Sequence, residues 1–192
     1  MWDKRETENV MKQLISEGKI EKPETGRIIF FMAKSQESLN VAQKLQDISQ
    51  DTKSNLKSYM WIISTSYYSM FFAATALLAQ FNKKIITIVG IHKLTFHALA
   101  YYFYILDNKL QKQYLEEYKE SYDNVEELLQ ISEKKALELL RSFDFEQGKR
   151  KTFTYDMGVY AQENKAITSV KRAKEFYDVV DSMLKKTKSK NI

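Results

Sequence analysis

An all-α fold, built as an antiparallel bundle of long helices, is what this sequence predicts, and three observations carry that expectation. Only five glycines and one proline occur in 192 residues, so sheet turns and helix breakers are scarce. Residues 58–82, SYMWIISTSYYSMFFAATALLAQFN, run without a charged side chain in a chain where 29% of residues are charged. Finally, apolar residues recur at alternating three- and four-residue steps through most of the remaining segments, the period of a helix with one buried face.

The elements follow in order. Residues 3–17 place Val10, Met11, Leu14 and Ile15 at helical spacing, and Gly18 ends that helix. KIEKPETG is a connection around Pro23, and a second helix over 25–50 turns Ile28, Phe31, Met32, Leu39, Ala42 and Leu45 to one side. In the uncharged stretch, Ser66, Ser69, Ala73 and Ala76 share a narrow face bordered by Ile63, Met70 and Leu77, where a neighbouring helix can approach closely. The stretch is long enough to span a bilayer. Its serines and threonines, its polar-tipped rings and its lysines on both flanks instead predict a buried central helix and no membrane span.

KKIITIVG (83–90) is short and β-branched with no partner strand in view, so it reads as a packed loop. Residues 90–106 restart an apolar helix. Residues 109–130 form an amphipathic one, with Leu115, Tyr118, Tyr122, Val125 and Leu129 inward and an acidic outer face of Glu116, Glu117, Glu120, Asp123, Glu126 and Glu127. Ser132 is the expected N-cap of a further helix to Leu140. Segment 142–158 breaks the periodicity. The last helix, 163–186, carries the seam Ala166, Val170, Ala173, Tyr177, Val180 and Leu184. The chain thus divides into an N-terminal helical extension (1–24), a bundle (25–186) and a basic, frayed tail (187–192).

Composition narrows the chemistry. With no cysteine, thiol catalysis, disulfides and cysteine metal sites are excluded. The charged start MWDKRETENVMKQ carries no apolar signal segment, which predicts a cytoplasmic protein. Thirty basic residues against 25 acidic ones leave a net charge of +5, compatible with nucleic acid without demanding it. His92 and His97, the only histidines, point apart on a helix at their i,i+5 spacing, so they read as core or cap residues; no metal site and no cofactor is expected. No Glu-x-x-His pair of a di-iron bundle occurs. Gly148-Lys149 lacks the earlier glycine of a phosphate loop, because Phe143 stands there.

The remaining candidate is the segment Gly148-Lys149-Arg150-Lys151-Thr152-Phe153-Thr154-Tyr155-Asp156. Lys149, Arg150 and Lys151 are suited to phosphate oxygens, and the Tyr155 ring to stacking on a base. The alternative is a solvated loop in which Arg150 pairs with Asp156 or another carboxylate.

Taken in order, Tyr67-Tyr68-Ser69-Met70-Phe71-Phe72-Ala73-Ala74 with Ala76-Leu77-Leu78, Gly90-Ile91-His92-Lys93, Arg150-x4-Tyr155-Asp156 and Ala166…Ala173-Lys174-Glu175-Phe176 resemble the HEPN superfamily. The resemblance spans roughly residues 30 to 184 and is to its small stand-alone prokaryotic branch. It implies an up-and-down bundle of four or five helices, here with an added N-terminal helix, that forms a homodimer. It also implies a minimal nucleotidyltransferase as partner in a toxin–antitoxin-type module, and a nucleotide or RNA ligand. Ribonuclease members carry Arg-x4-6-His before the last helix. Here the positions separated from Arg150 by four to six intervening residues hold Tyr155, Asp156 and Met157, and the tyrosine that some members have nucleotidylated corresponds to Met157. A tyrosine, with a pKa near 10, is a poor general base at neutral pH. The expectation is therefore phosphate binding by Lys149, Arg150, Lys151 and Tyr155. The alternatives are metal-independent RNA cleavage by Arg150, Tyr155 and Asp156, and a non-catalytic homo-oligomeric scaffold.

Overall fold

The computed structural model describes residues 2–87, 89–143 and 156–188, with the side chains of 131–143, 156–161 and 187–188 outside that description. Among the described residues the chain is mostly helical: α1 (Lys4–Ser16), α2 (Arg27–Gln50), α3 (Tyr59–Gln80), α4 (Ile91–Ala100), α5 (Lys112–Phe143) and α6 (Asp156–Lys188). Two strands of two residues each, β1 (Ile20–Glu21) and β2 (Lys84–Ile85), complete the regular structure with a π-helical turn at Tyr101–Leu106.

The uncharged stretch becomes α3, and α2, α4, α5 and α6 all pack on it. Its small-residue face is closed, with Ser66, Ser69, Ala73 and Ala76 at 0% exposure. Where α2 crosses, Ser35 donates from Oγ to the carbonyl of Ser69 at 2.8 Å, a distance that only small side chains permit. By length and composition α3 meets the requirements of a membrane span, yet 67% of its apolar window is covered by the other helices. From α6, Ala166, Val170, Ala173, Phe176, Val180 and Leu184 enter the same core. Tyr177, expected in that seam, is only partly buried, and Phe176 takes the core place.

Helices α5 and α6 run antiparallel. Lys165 pairs with Glu127 at 3.3 Å and Arg172 with Glu120 at 2.9 Å, so seven residues back along one helix match seven forward along the other. Helix α1 is tied to α4: Thr7 and Met11 are fully buried, and Trp2 meets Phe96 and Tyr104 edge-on at 6.0 and 5.8 Å.

Three expectations need correction. The 83–90 segment is not merely a packed loop, because Lys84–Ile85 pairs antiparallel with Ile20–Glu21 in the register Ile20↔Ile85 and Glu21↔Lys84. Its partner lies in the connection around Pro23, and Ile85, 9% exposed, anchors the ribbon to the core. Residues 109–130 and 132–140 are not separate helices but one, since no glycine or proline interrupts Lys112–Phe143 and Ser132 is an interior position. The 90–106 helix is not uniform either. Its last six residues widen into the π-turn, after which the Phe103 carbonyl accepts from the amides of both Lys109 and Leu110 at 2.8 Å.

Candidate functional site

Gly90 opens the site. Its left-handed backbone (φ 70°, ψ 17°) suits a residue without Cβ, and it turns the chain into α4. Gly90 has no side chain with which to cap α4, and among the described residues no side-chain cap bonds the amides of its first turn. That turn borders a cavity of about 220 Å³ whose walls include Tyr67, Tyr68, His92, Lys93, Tyr122 and Glu126. The site therefore stands where α3, α4 and α5 meet.

Tyr67 and His92 are its structural pair. Tyr67 is 2% exposed, and its hydroxyl lies 2.9 Å from His92 Nδ1. Burial pushes the phenol well above its ordinary pKa, with the neighbouring Tyr118 adding to the rise, so Tyr67 keeps its proton. Burial also lowers the pKa of His92, which favours the neutral ring. The direction of this bond follows the imidazole tautomer: Nδ1 accepts from the phenol when the ring proton is on Nε2, and donates to the phenol oxygen when the proton is on Nδ1. The imidazole is held further by Phe71, with ring centroids 4.3 Å apart, and by Tyr68, which meets it edge-on at 5.7 Å.

The opposite wall comes from α5. Tyr122 donates to Glu126 Oε1 at 3.1 Å, and burial together with that bond pushes its hydroxyl up to about 12. Lys93 reaches back to Glu6 of α1 at 3.1 Å. Beyond Lys93 the cavity meets a second hollow of about 210 Å³ lined in part by Lys119 and Asp123, which pair at 2.5 Å. Donors at the α4 turn and the His92 ring thus face aromatic walls, with one carboxylate, Glu126, at the edge. That arrangement suits hydrogen bonding and stacking.

No family model matches the chain, and no curated protein matches it.

The candidate residues from the sequence have a different standing. Lys149, Arg150, Lys151 and Tyr155 lie outside the described residues, as does the side chain of Asp156, whose backbone begins α6. The two histidines diverge as their spacing predicts. His97 is a core residue, 3% exposed, with Nδ1 3.0 Å from Thr7 Oγ1. His92 instead rims the cavity, a role that local sequence does not display because its partner Tyr67 is 25 residues away. Leu129, expected inside the α5 seam, is 60% exposed and lines the cavity mouth. On the expected acidic outer face of α5, Glu116, Glu120, Asp123, Glu126 and Glu127 are exposed, whereas Glu117 is half-buried with its Oε2 covered.

Proposed function

We propose that this protein is a HEPN-like helical bundle that binds a nucleotide or RNA phosphate. One observation supports the reading most. Two separate pieces of the resemblance, Tyr67–Ala74 and Gly90–Lys93, meet through the 2.9 Å Tyr67–His92 contact beside an uncapped helix start. Amides at a helix N-terminus with a nearby lysine and imidazole N–H form a group of donors for a phosphate, and Tyr68 and Tyr122 offer rings to a base. Lys149, Arg150, Lys151 and Tyr155 are of the residue types suited to further phosphate and base contacts. The protein acts as a homodimer beside a minimal nucleotidyltransferase, in a toxin–antitoxin-type module; these two partners rest on the resemblance alone.

Fluorescence anisotropy with a labelled single-stranded RNA, and calorimetry with nucleoside phosphates, test the reading. Arg150→Ala and Lys93→Met should each weaken binding, and affinity should fall as salt rises, because phosphate contacts release counterions. Binding no stronger than that of a variant with a scrambled 148–156 segment would sink the proposal. Cleavage of the RNA, abolished by both Arg150→Ala and Tyr155→Phe, would establish the ribonuclease alternative in its place.

A further inference from the structure

A third cavity, of about 320 Å³, lies between the start of α2, α3, the β2 ribbon and α4. It touches the other side of the α4 start, since Ile91 contributes to both cavities. Its volume falls at the lower end of the range occupied by small-molecule sites. Arg27, Lys83 and Lys84 contribute to its lining, Phe31 and Phe71 supply aromatic wall, and no carboxylate lines it among the described residues.

The charges there do not balance. Glu24, beside the cavity, is shared by Arg27 at 3.4 Å and by Lys84 in a closer ion pair, which hold its carboxyl below the usual range. Lys83 has its ammonium 5.0 Å from the Tyr102 ring centroid. Three cations therefore face a single carboxylate that already serves two of them.

Two polar groups in the lining are also unused. Arg27 is fixed with its guanidinium 4.7 Å above Phe31, yet its buried Nε–H has no hydrogen-bond partner among the described residues. A buried donor left unpaired is costly, more so when charged, and such exceptions are rare. Thr95, only 2% exposed, lines the same cavity, and its hydroxyl has no hydrogen bond to any described residue. The rest of the surface is apolar, with Leu78 and Ile85 beside the rings.

From this combination we infer a second binding site, for a small amphipathic organic anion: one phosphate or carboxylate head on an aromatic or short acyl body. The head meets Arg27, Lys83 and Lys84, pairs the orphan Nε–H and accepts from Thr95. The body covers Phe71 and Ile85. A bare inorganic anion leaves the apolar wall uncovered, and a neutral hydrophobe leaves the Arg27 Nε–H unpaired. The site is independent of phosphate binding beside His92.

Calorimetry on the full chain tests the assignment with 1-naphthyl phosphate, 1-naphthoate, 1-naphthol and inorganic phosphate. At least one naphthyl anion should bind about tenfold or more tighter than both 1-naphthol and inorganic phosphate. Whichever anion binds tighter identifies the head. Arg27→Met, which keeps an apolar stem over Phe31, should weaken that binding by about tenfold, and Thr95→Val by about threefold. Lys93→Met, in the other cavity, should weaken it less than Arg27→Met does, and methyl NMR shifts should centre on Ile85, which lines this cavity and not the one beside His92. Far-UV circular dichroism and urea midpoints confirm that each variant folds. Equal binding of 1-naphthol or of inorganic phosphate, full affinity in Arg27→Met, or equal weakening by Lys93→Met would each overturn the inference.

Discussion

Acidification from pH 7.5 to pH 5.5 should destabilise this fold through His97. The ring is 3% exposed between α1 and α4, with Nδ1 against Thr7 and a buried Nε2 that has no hydrogen-bond partner among the described residues; the Glu6 carboxylate stands 3.9 Å away. Burial is the largest influence and lowers the pKa, Lys93 and Lys119 act in the same direction, and Glu6 opposes them. The folded protein therefore resists a proton that the unfolded chain accepts near pH 6.5. This stability is fully present above that pH and is lost as the pH falls toward the lower folded value. If the folded state refuses the proton altogether, the loss one unit below the unfolded pKa is about 1.4 kcal/mol, and the attraction of Glu6 reduces it. Glu6, Glu17 and Glu24, whose pKa values are lowered, lose their contributions only below the ordinary carboxylate range, outside this window. Urea unfolding followed by far-UV circular dichroism at the two pH values measures the difference. His97→Gln, which cannot titrate, should flatten it by about 1 kcal/mol, leaving the smaller share of His92. A pH dependence identical in wild type and His97→Gln would refute the argument, whatever the variant's overall stability.

Tyr67→Phe keeps the ring and removes the hydroxyl bonded to His92 Nδ1, so it should cost about 1 kcal/mol in urea unfolding. With Nδ1 as the acceptor the lost bond favours the neutral imidazole, so the His92 pKa should rise in an NMR titration; a fall would place the ring proton on Nδ1 instead. Ala73→Leu, at a 0% exposed position on the small-residue face of α3, should destabilise by about 1 to 3 kcal/mol through overpacking. Trp61→Leu on the outer face, 61% exposed, should change stability by no more than about 0.5 kcal/mol in the same assay.

Most of the helical fold is legible in the sequence because periodicity is a local property. The faces of α3 and α6 could be drawn from spacing, and Ser66, Ser69, Ala73, Ala166 and Val180 are buried as drawn. Spacing failed where neighbours decide. Leu129 has the right phase in α5 but lies where the cavity opens, so phase did not bring burial. Ser132 has the chemistry of an N-cap, yet continuous helix on both sides made that signal irrelevant. The β ribbon was illegible because its two strands, Ile20–Glu21 and Lys84–Ile85, are two residues each and separated by two intervening helices.

The candidate sites divide along the same line. Sequence by itself determined the helical class, the uncharged centre, the absence of cysteine chemistry and the cationic run at Lys149–Lys151, because each is a matter of residue type and spacing. Only the tertiary structure distinguished His92 from His97, by setting one beside Tyr67 at a cavity and the other against Thr7 in the core. Only it gathered Arg27, Lys83, Lys84 and Thr95, drawn from three regions of the chain, around one apolar hollow. Burial, hydrogen-bond partners and unpaired donors depend on side chains brought together from distant positions, and no local pattern encodes that meeting.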